Sequence, residues 1–459
     1  MELKLHTYPM LEDHISASEV ITLKESELLV YNTVTGKKTY PNRATFTFLR
    51  LATGIISFKQ IIQTLSQQSK ESPEEIQPGL SALVEKMVNN GLLKILKTPA
   101  ENPRAAPPSV ELVHRLESVS FEITRKCNLR CKHCYSNSGI KLDDELTTEE
   151  IKAIIDQLAD MGVLAITFTG GEPLLHPDLF EVMEYARKKP LTLLLFTNAT
   201  LITPKIVEKL KELHIYKVHV SIDGPDDKTH DQFRGVTGAF KKTLHGINLL
   251  KNAGIDVQTS VSITKFNYKK VKEILHLITD LGITHFKLWP ITFSGRPDQK
   301  NIFITPEEFR EVMEALRQFE FKELQKKKEV FEYSKRIENC GIGSGTLAIK
   351  SNGVITPCPG FGDDVSLGNV KTHAILDIWN NSELLHTLRA MSVYTTDICK
   401  DCTFAAVCKG GCIADMYGKT GKFSCYNPYM CVAFDVTKDD FVPVEVEDTR
   451  SHSLSVEIV

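Results

Sequence analysis

From Ser118 to Pro290 the chain alternates between two hydrophobic periods. Short apolar runs, "SVSFEIT", "LAITFT", "LTLLLFT", "KVHVSID", "DVQTSVSI" and "THFKLWP", read as strands. Between them lie stretches with apolar residues three and four apart, such as "TTEEIKAIIDQLADMG", "PKIVEKLKELH", "AFKKTLHGINLLKNAG" and "NYKKVKEILHLITDLG", which read as helices. Six strand–helix units in a row predict a parallel sheet. "TTEE" offers a capping box to the first helix. "TPEEFREVMEALRQF" predicts one more helix after the last strand.

The flanks follow other patterns. Residues 15–98 read as a small α+β unit. "LLVYNTVTGKKTY" suggests two short strands about a Thr-Gly turn. "RATFTFLRLAT", "SFKQIIQTLSQQ" and "GLSALVEKMVNNGLL" have helical spacing, the last closed by Asn-Gly. "KTPAENPRAAPPSVE" is rich in Pro and Ala without periodicity, so 99–116 is expected to be a linker. The six units fill 117–325. Over 337–435 cysteines, glycines and short segments dominate, and only "ILDIWNNSELLHTLRAM" predicts a substantial helix. Such a segment buries little apolar area alone, and metal ligation would supply folding energy. Residues 436–459 read as a tail.

Composition narrows the function. A net charge of −3 argues against a general nucleic-acid or membrane-surface role. The start "MELKLHTYPM" lacks the basic and apolar regions of a signal peptide. No apolar run approaches the roughly 20 residues of a membrane span. A cytoplasmic protein is expected, where thiols stay reduced. Its eleven cysteines are nevertheless clustered: three in 127–134 and eight in 340–431. Ligand duty explains such clustering better than inert core thiols do.

The motifs converge once the strands are drawn. "CNLRCKHCY" follows the first strand, "GGEP" (170–173) the second and "TN" (197–198) the third; "SIDG" (221–224) ends the fourth. All four lie at carboxyl ends of strands, the rim where α/β folds bind ligands. Singly each is ordinary turn chemistry. Four beside a cysteine triplet predict a site. Cys127, Cys131 and Cys134 can bind a [4Fe–4S] cluster through three irons and leave the fourth open. A zinc site would need a fourth ligand, and no His supplies it at the usual spacing, although His133 lies in the loop. A zinc-binding adaptor without catalysis is the rival from another class.

"CNLRCKHC" resembles the CxxxCxxC signature of the radical S-adenosylmethionine (SAM) enzymes, and "GGEP" that superfamily's motif for the SAM amino group. The resemblance implies a partial (β/α)6 TIM-like barrel. It implies that Cys127, Cys131 and Cys134 hold a cluster whose fourth iron is chelated by SAM, and that reductive cleavage yields a 5′-deoxyadenosyl radical. It further implies that Gly170, Gly171 and Glu172 meet the SAM amine and that Ser221 and Arg234 meet its carboxylate. Asn198 and Asp223 lie nearby, and His133 stands at the aromatic position near adenine.

The order Cys340, Gly353, Cys358, then "CKDCTFAAVCKGGC" (399–412) and "NPYMC" resembles the SPASM domain of peptide-modifying radical SAM enzymes. This implies two auxiliary [4Fe–4S] clusters, three clusters in all. Cys340, Cys358 and Cys412 fall to one, and Cys399, Cys402, Cys408 and Cys431 to the other. Cys425 is surplus: it replaces Cys431, completes the first set, or is structural. No cysteine stands just before Cys340 to complete that set, which leaves an iron free for a substrate thiolate or water. Sulfatase-maturing relatives carry Asp where Pro359 stands, which counts against that activity.

The N-terminal unit resembles the PqqD-like RiPP recognition element, a winged-helix-like domain. It implies capture of a leader peptide by strand addition near 27–40. Together the three resemblances imply a maturase of a ribosomally synthesised precursor peptide, forming an intrapeptide thioether with electrons from a donor such as ferredoxin or flavodoxin. Carbon–carbon or carbon–oxygen modification of a peptide, or modification of a tetrapyrrole, are the alternatives within enzymes.

Overall fold

The computed structural model describes residues 4–21, 26–104, 109–291, 294–296, 301–319 and 338–436. The end of the expected barrel region (320–325), residue 337 and the tail beyond Val436 lie outside them.

The N-terminal unit opens with β1 (Tyr8–Leu11), β2 (Ile15–Ile21), β3 (Ser26–Asn32) and β4 (Lys38–Thr39). Three helices follow: α1 (Arg43–Leu51), α2 (Phe58–Ser69) and α3 (Pro73–Asn89). Asn42, Ser57 and Ser72 cap them, accepting N–H bonds from the first turns. β5 (Leu93–Leu96) returns antiparallel to β1. β2 and β3 form a hairpin, and β4 pairs only with Val30 and Tyr31 of β3. The 99–116 stretch is more than a connector: its residues Ser109–Glu111 form β6, parallel to β2. Phe46, Phe48, Phe58, Ile61 and Val84 close a separate core.

The six expected strands are present: β7 (Ser118–Thr124), β8 (Ala165–Gly170), β9 (Thr192–Thr197), β10 (Lys217–Ser221), β11 (Val257–Ile263) and β12 (Phe286–Pro290). They pair in parallel and in sequence order. Helices α4 (Thr148–Asp160), α5 (Leu179–Arg187), α6 (Pro204–Glu212), α7 (Asp227–Arg234), α8 (Ala239–Asn252), α9 (Val271–Asp280) and α10 (Pro306–Gln318) connect or follow them. Thr147 and Glu150 form the capping box of α4. Val119, Phe121, Ile166, Phe168, Leu193, Leu195, Val218 and Val220 pack with the helices in one core. The intervening residues, such as Ser120, Glu122, Thr167, Thr169, His219, Ser221 and Ser260, share the opposite face because side chains alternate along a strand. Parallel sheets are normally covered by helices on both faces. Here the second face is polar.

The cysteine-rich segment joins this sheet. β13 (Thr346–Ile349) pairs parallel to β7, and β14 (Val354–Thr356) and β15 (Gly368–Asn369) extend it antiparallel to nine strands. Its expected single helix is two, α11 (Ile375–Asn381) and α12 (Glu383–Ala390), broken at Ser382, which caps α12. α13 (Ala405–Cys408), α14 (Ile413–Thr420) and α15 (Pro428–Ala433) complete it. Trp379, Leu385, Ile355 and Tyr429 enter the central core. The segment therefore does not depend on metal alone for buried apolar area.

The N-terminal unit docks at the amino ends of the central strands. Lys38 pairs with Glu117 at 2.7 Å, Thr192 donates to the Thr33 carbonyl at 2.9 Å, and Tyr31 packs with Leu164. It thus lies opposite the rim that carries the motifs. No described helix is long and apolar enough to cross a membrane.

Candidate active site

The loop Cys127–Tyr135 sits at the carboxyl end of β7, and each of its three thiols meets a donor. The Leu129 N–H points to Cys127 Sγ at 3.4 Å, the Ser138 N–H to Cys134 Sγ at 3.2 Å, and Arg234 Nη1 to Cys131 Sγ at 3.6 Å. Such donors favour thiolates, the form that ligates iron. Burial pushes the Cys127 thiol up to about 12, and its neighbours Cys131, Glu172 and Cys134 add to the shift. Among the described residues no three His, Cys, Asp or Glu side chains converge on one ion. A [4Fe–4S] cluster makes no such demand, because each thiolate binds its own iron. The donor set therefore fits a cluster.

The other rim motifs lock onto this loop. Gly171 N–H donates to the Thr124 carbonyl at 2.8 Å, and Glu172 N–H to that of Lys126 at 2.9 Å. A Cβ on Gly171 would lie 2.8 Å from the Arg125 oxygen and from the Lys126 carbonyl carbon. Gly170, at φ 137°, is likewise pressed against Thr124. The expectation was close approach to a ligand. The structure gives these glycines another reason: two backbones meet here, and one of them leads into the cysteines.

Glu172 is fully buried. Its carboxylate accepts from Thr197 Oγ1 at 2.7 Å, the Asn198 N–H at 2.8 Å and the Leu174 N–H at 3.2 Å. Burial raises it to about 7 against these bonds. Asn198 Nδ2 in turn donates to Asn128 Oδ1 at 2.9 Å, and Asn128 donates to Thr200 at 2.8 Å. "GGEP", "TN" and the cysteine loop are one hydrogen-bonded unit.

Arg234, at the end of α7, is buried and ion-paired to the fully buried Asp223. Burial would lower its pKa, but Asp223 and Cys131 hold it above its ordinary value. Burial pushes Asp223 up, opposed by Arg234 and by the Ser262 N–H at 2.8 Å. The carbonyls of Arg234 and Phe233 accept from Arg130 and Lys132, so α7 clamps the loop as well. Ser221 ends β10, opposite Ser260 of β11. His133 stacks on Phe233 with ring centroids 4.2 Å apart. Burial, then Arg234 and Arg296, keep it neutral. Asn128, Thr200 and Phe233 were not singled out from the sequence. Asn128 lay inside the quoted motif; the others carry no local signal.

The remaining cysteines form two groups. Cys399, Cys402, Cys408 and Cys431 line one small cavity with Val393, Ile398, Phe404 and Ala405. Cys340, Cys358 and Cys412 lie within electrostatic reach of one another, and burial pushes Cys358 up to about 12. Cys340 is exposed, whereas Cys358 and Cys412 are half-buried. Cys425 does not line the four-cysteine cavity. It is 1% exposed and stands between the groups, electrostatically near Cys340 and Cys399. Its carbonyl lies 3.8 Å from Cys399 Sγ.

A three-cysteine loop locked to the rim of a parallel α/β sheet, in a chain with a further cysteine-rich segment, is the arrangement of a radical SAM enzyme. Residues 121–279 match the radical SAM superfamily, and residues 340–403 match the SPASM iron–sulfur cluster-binding domain. The chain belongs to the radical SAM superfamily. It is 32% identical over 336 residues to the AdoMet-dependent heme synthase of Methanosarcina barkeri (strain Fusaro), covering 68% of this chain and 95% of that protein. It is 31% identical over 365 residues to the antilisterial bacteriocin subtilosin biosynthesis protein AlbA of Bacillus subtilis (strain 168), covering 77% and 80%. In fold it is similar to Streptococcus suis SuiB bound to the precursor peptide SuiA, with a TM-score of 0.64 and 16% identity over 90% of this chain and 97% of that one.

Proposed function

We propose that the protein is a radical SAM maturase of a ribosomally synthesised peptide, forming an intrapeptide cross-link of thioether type, as in sactipeptides and ranthipeptides. The observation that carries this reading is the edge of β3. Among the described residues, β4 covers only Val30 and Tyr31 of its seven residues, so a leader peptide can add as a strand over Ser26–Leu29. We take the unit as a winged-helix-like, PqqD-like domain. SuiB, similar in fold over most of this chain, is bound to its precursor peptide, and AlbA serves bacteriocin biosynthesis.

In this reading Cys127, Cys131 and Cys134 hold the SAM-binding cluster. Cys340, Cys358 and Cys412 hold one auxiliary cluster, and Cys399, Cys402, Cys408 and Cys431 the other. When bound, cluster and SAM supply a 5′-deoxyadenosyl radical that removes hydrogen from the substrate, with electrons from a low-potential donor such as ferredoxin or flavodoxin. The chain binds and orients. The N–H groups of Leu129 and Ser138 and the Arg234 guanidinium steady the thiolates. The His133–Phe233 stack offers a flat surface to adenine. Gly170, Gly171 and Glu172 meet the SAM amine, with Asn198 beside them. Arg234, held by Asp223, and Ser221 meet its carboxylate. With three cysteines, the group of Cys340, Cys358 and Cys412 leaves an iron for a substrate thiolate.

The leader edge and the rim lie at opposite ends of strands of about six residues, roughly 20 Å at 3.3 Å per residue. The spacer between leader and modified residue must therefore reach at least that far. Modification of a tetrapyrrole is the second reading, favoured by the heme synthase similarity across 95% of that relative. Hydrogen exchange on the full chain tests the first. Adding the precursor peptide should protect the amides of β3. If β3 stays unprotected while a porphyrin binds, the tetrapyrrole reading replaces it.

A further inference from the structure

The polar face of the sheet carries a cationic group that the chemistry above does not use. His219 is at mid-strand in β10, with Lys217 two residues before it on the same face. Phe196 of β9 is the register partner of His219, their rings 4.3 Å apart. Lys287 of β12 is level with Ser260 of β11, which is level with Ser221. The group thus reaches across four neighbouring strands, from Lys287 at the level of Ser221 down to Lys217 at the start of β10.

Three features set it apart from ordinary surface charge. His219 is 8% exposed, yet its Nδ1 has no hydrogen-bond partner among the described residues. A buried polar atom without a partner is uncommon and costly. Phe196 is 36% exposed near the carboxyl end of β9, a strand inside the sheet, where an aromatic ring is normally covered. Lys287 is exposed as a residue, although burial and then the charge of Lys217 lower its pKa, and among the described residues it has neither an ion pair nor a hydrogen bond. Lys217 has Asp256 at 4.0 Å, too far for a close pair. Glu122, on the same face, is already bonded to Arg125 at 3.0 Å. Two cations and a neutral imidazole therefore share a polar face on which Asp256 stands 4.0 Å from Lys217 and no described acid pairs with Lys287. Burial, with the charges of Lys287 and Lys217, pushes His219 down to about 3, so the ring stays neutral.

We propose that Lys287, His219 and Lys217 form a carboxylate-binding subsite that anchors the substrate beneath the reacting rim, with Phe196 covering the apolar part next to the carboxylate. Lys287 supplies the charge, and the His219 ring N–H supplies a directed donor. The carboxylate comes from an acidic residue of a precursor peptide or from a propionate of a tetrapyrrole. The proposal deepens the functional reading, since it rests on the substrate occupying this face.

Two experiments on the full-length, anaerobically reconstituted enzyme test it. In the first, Lys287 acetylation by acetic anhydride is followed by peptide mass, with glutarate or the uncharged glutaramide as probe. Glutarate should slow the labelling and glutaramide should not; equal labelling overturns the subsite. In the second, Lys287→Met is assayed with the precursor peptide and with a coproporphyrin. KM should rise about 10- to 100-fold for whichever substrate is turned over, the scale of a lost charge-assisted bond, with kcat nearly kept. Replacing the responsible Asp or Glu by its amide, or esterifying the propionates, should abolish the difference between variant and wild type. An unchanged KM overturns the subsite even if turnover proceeds. Glutarate protection without turnover of either substrate supports the subsite and overturns the functional reading instead.

Discussion

Gly171→Ala probes whether the glycine motif acts through the cysteine loop. The new Cβ would stand 2.8 Å from the Arg125 oxygen and the Lys126 carbonyl carbon, where ordinary contact begins at 3.4 Å. Backbone cannot rotate away as a side chain can, so residues 125–126 must retreat by about 0.6 Å or more, and Cys127 moves with them. Overpacking of this kind costs about 1–3 kcal/mol of stability. A misplacement of about 1 Å at a reacting centre costs roughly 100-fold in rate, so a loss of about 10- to 100-fold is expected. The assay is 5′-deoxyadenosine formation under anaerobic conditions with SAM and reductant, with iron content and circular dichroism measured in parallel. Gly79→Ala is the control, because nothing lies within 4 Å of a Cβ there. It should leave the rate unchanged. A folded Gly171→Ala variant within threefold of wild type would refute the argument that the glycine exists for this backbone contact.

Other outcomes follow from the buried charges and thiols. Arg234→Met strands the Asp223 carboxylate in the interior and should cost about 3–5 kcal/mol in denaturant unfolding, most of it regained in the Arg234→Met/Asp223→Asn double variant. Glu172 binds its proton more tightly folded (about 7) than unfolded (4.5). The stability it contributes is therefore complete below pH 4.5 and is lost as pH rises through 7, about 3 kcal/mol over roughly 2.5 units. Glu172→Gln should flatten unfolding free energy against pH across that window in the cluster-free protein. Cys431→Ala should lower bound iron by about four per chain, whereas Cys425→Ala should leave the four-cysteine group loaded. Equal losses in the two would show that Cys425 serves as a ligand.

Much of this architecture is legible in the sequence because its signals are local. The alternation in "DVQTSVSI" marks both a strand and its two unlike faces: Val257, Thr259 and Val261 are buried, and Ser260 lies on the polar side. The cysteine spacing alone would put Cys412 with Cys399, Cys402 and Cys408; its assignment beside Cys340 and Cys358 comes only from the family resemblance. What the sequence conceals is non-local pairing. β6 and β13 are short and weakly patterned, and their partners are distant in the chain, so neither announces itself. The same holds for the site. Glycine's freedom is visible in "GGEP", but not that its neighbour would be the backbone of Lys126. Arg234 is visible as a charge, but not its pairing with Asp223.

The central claim is that the open corner of the Cys127–Cys134 loop drives modification of a peptide. Intact mass of a precursor peptide incubated anaerobically with the reconstituted enzyme, SAM and reductant tests it most directly. The account predicts a product lacking two hydrogens per cross-link, with at least one 5′-deoxyadenosine formed per link and no product from a Cys131→Ala variant. An unchanged peptide mass beside continued 5′-deoxyadenosine formation would contradict it.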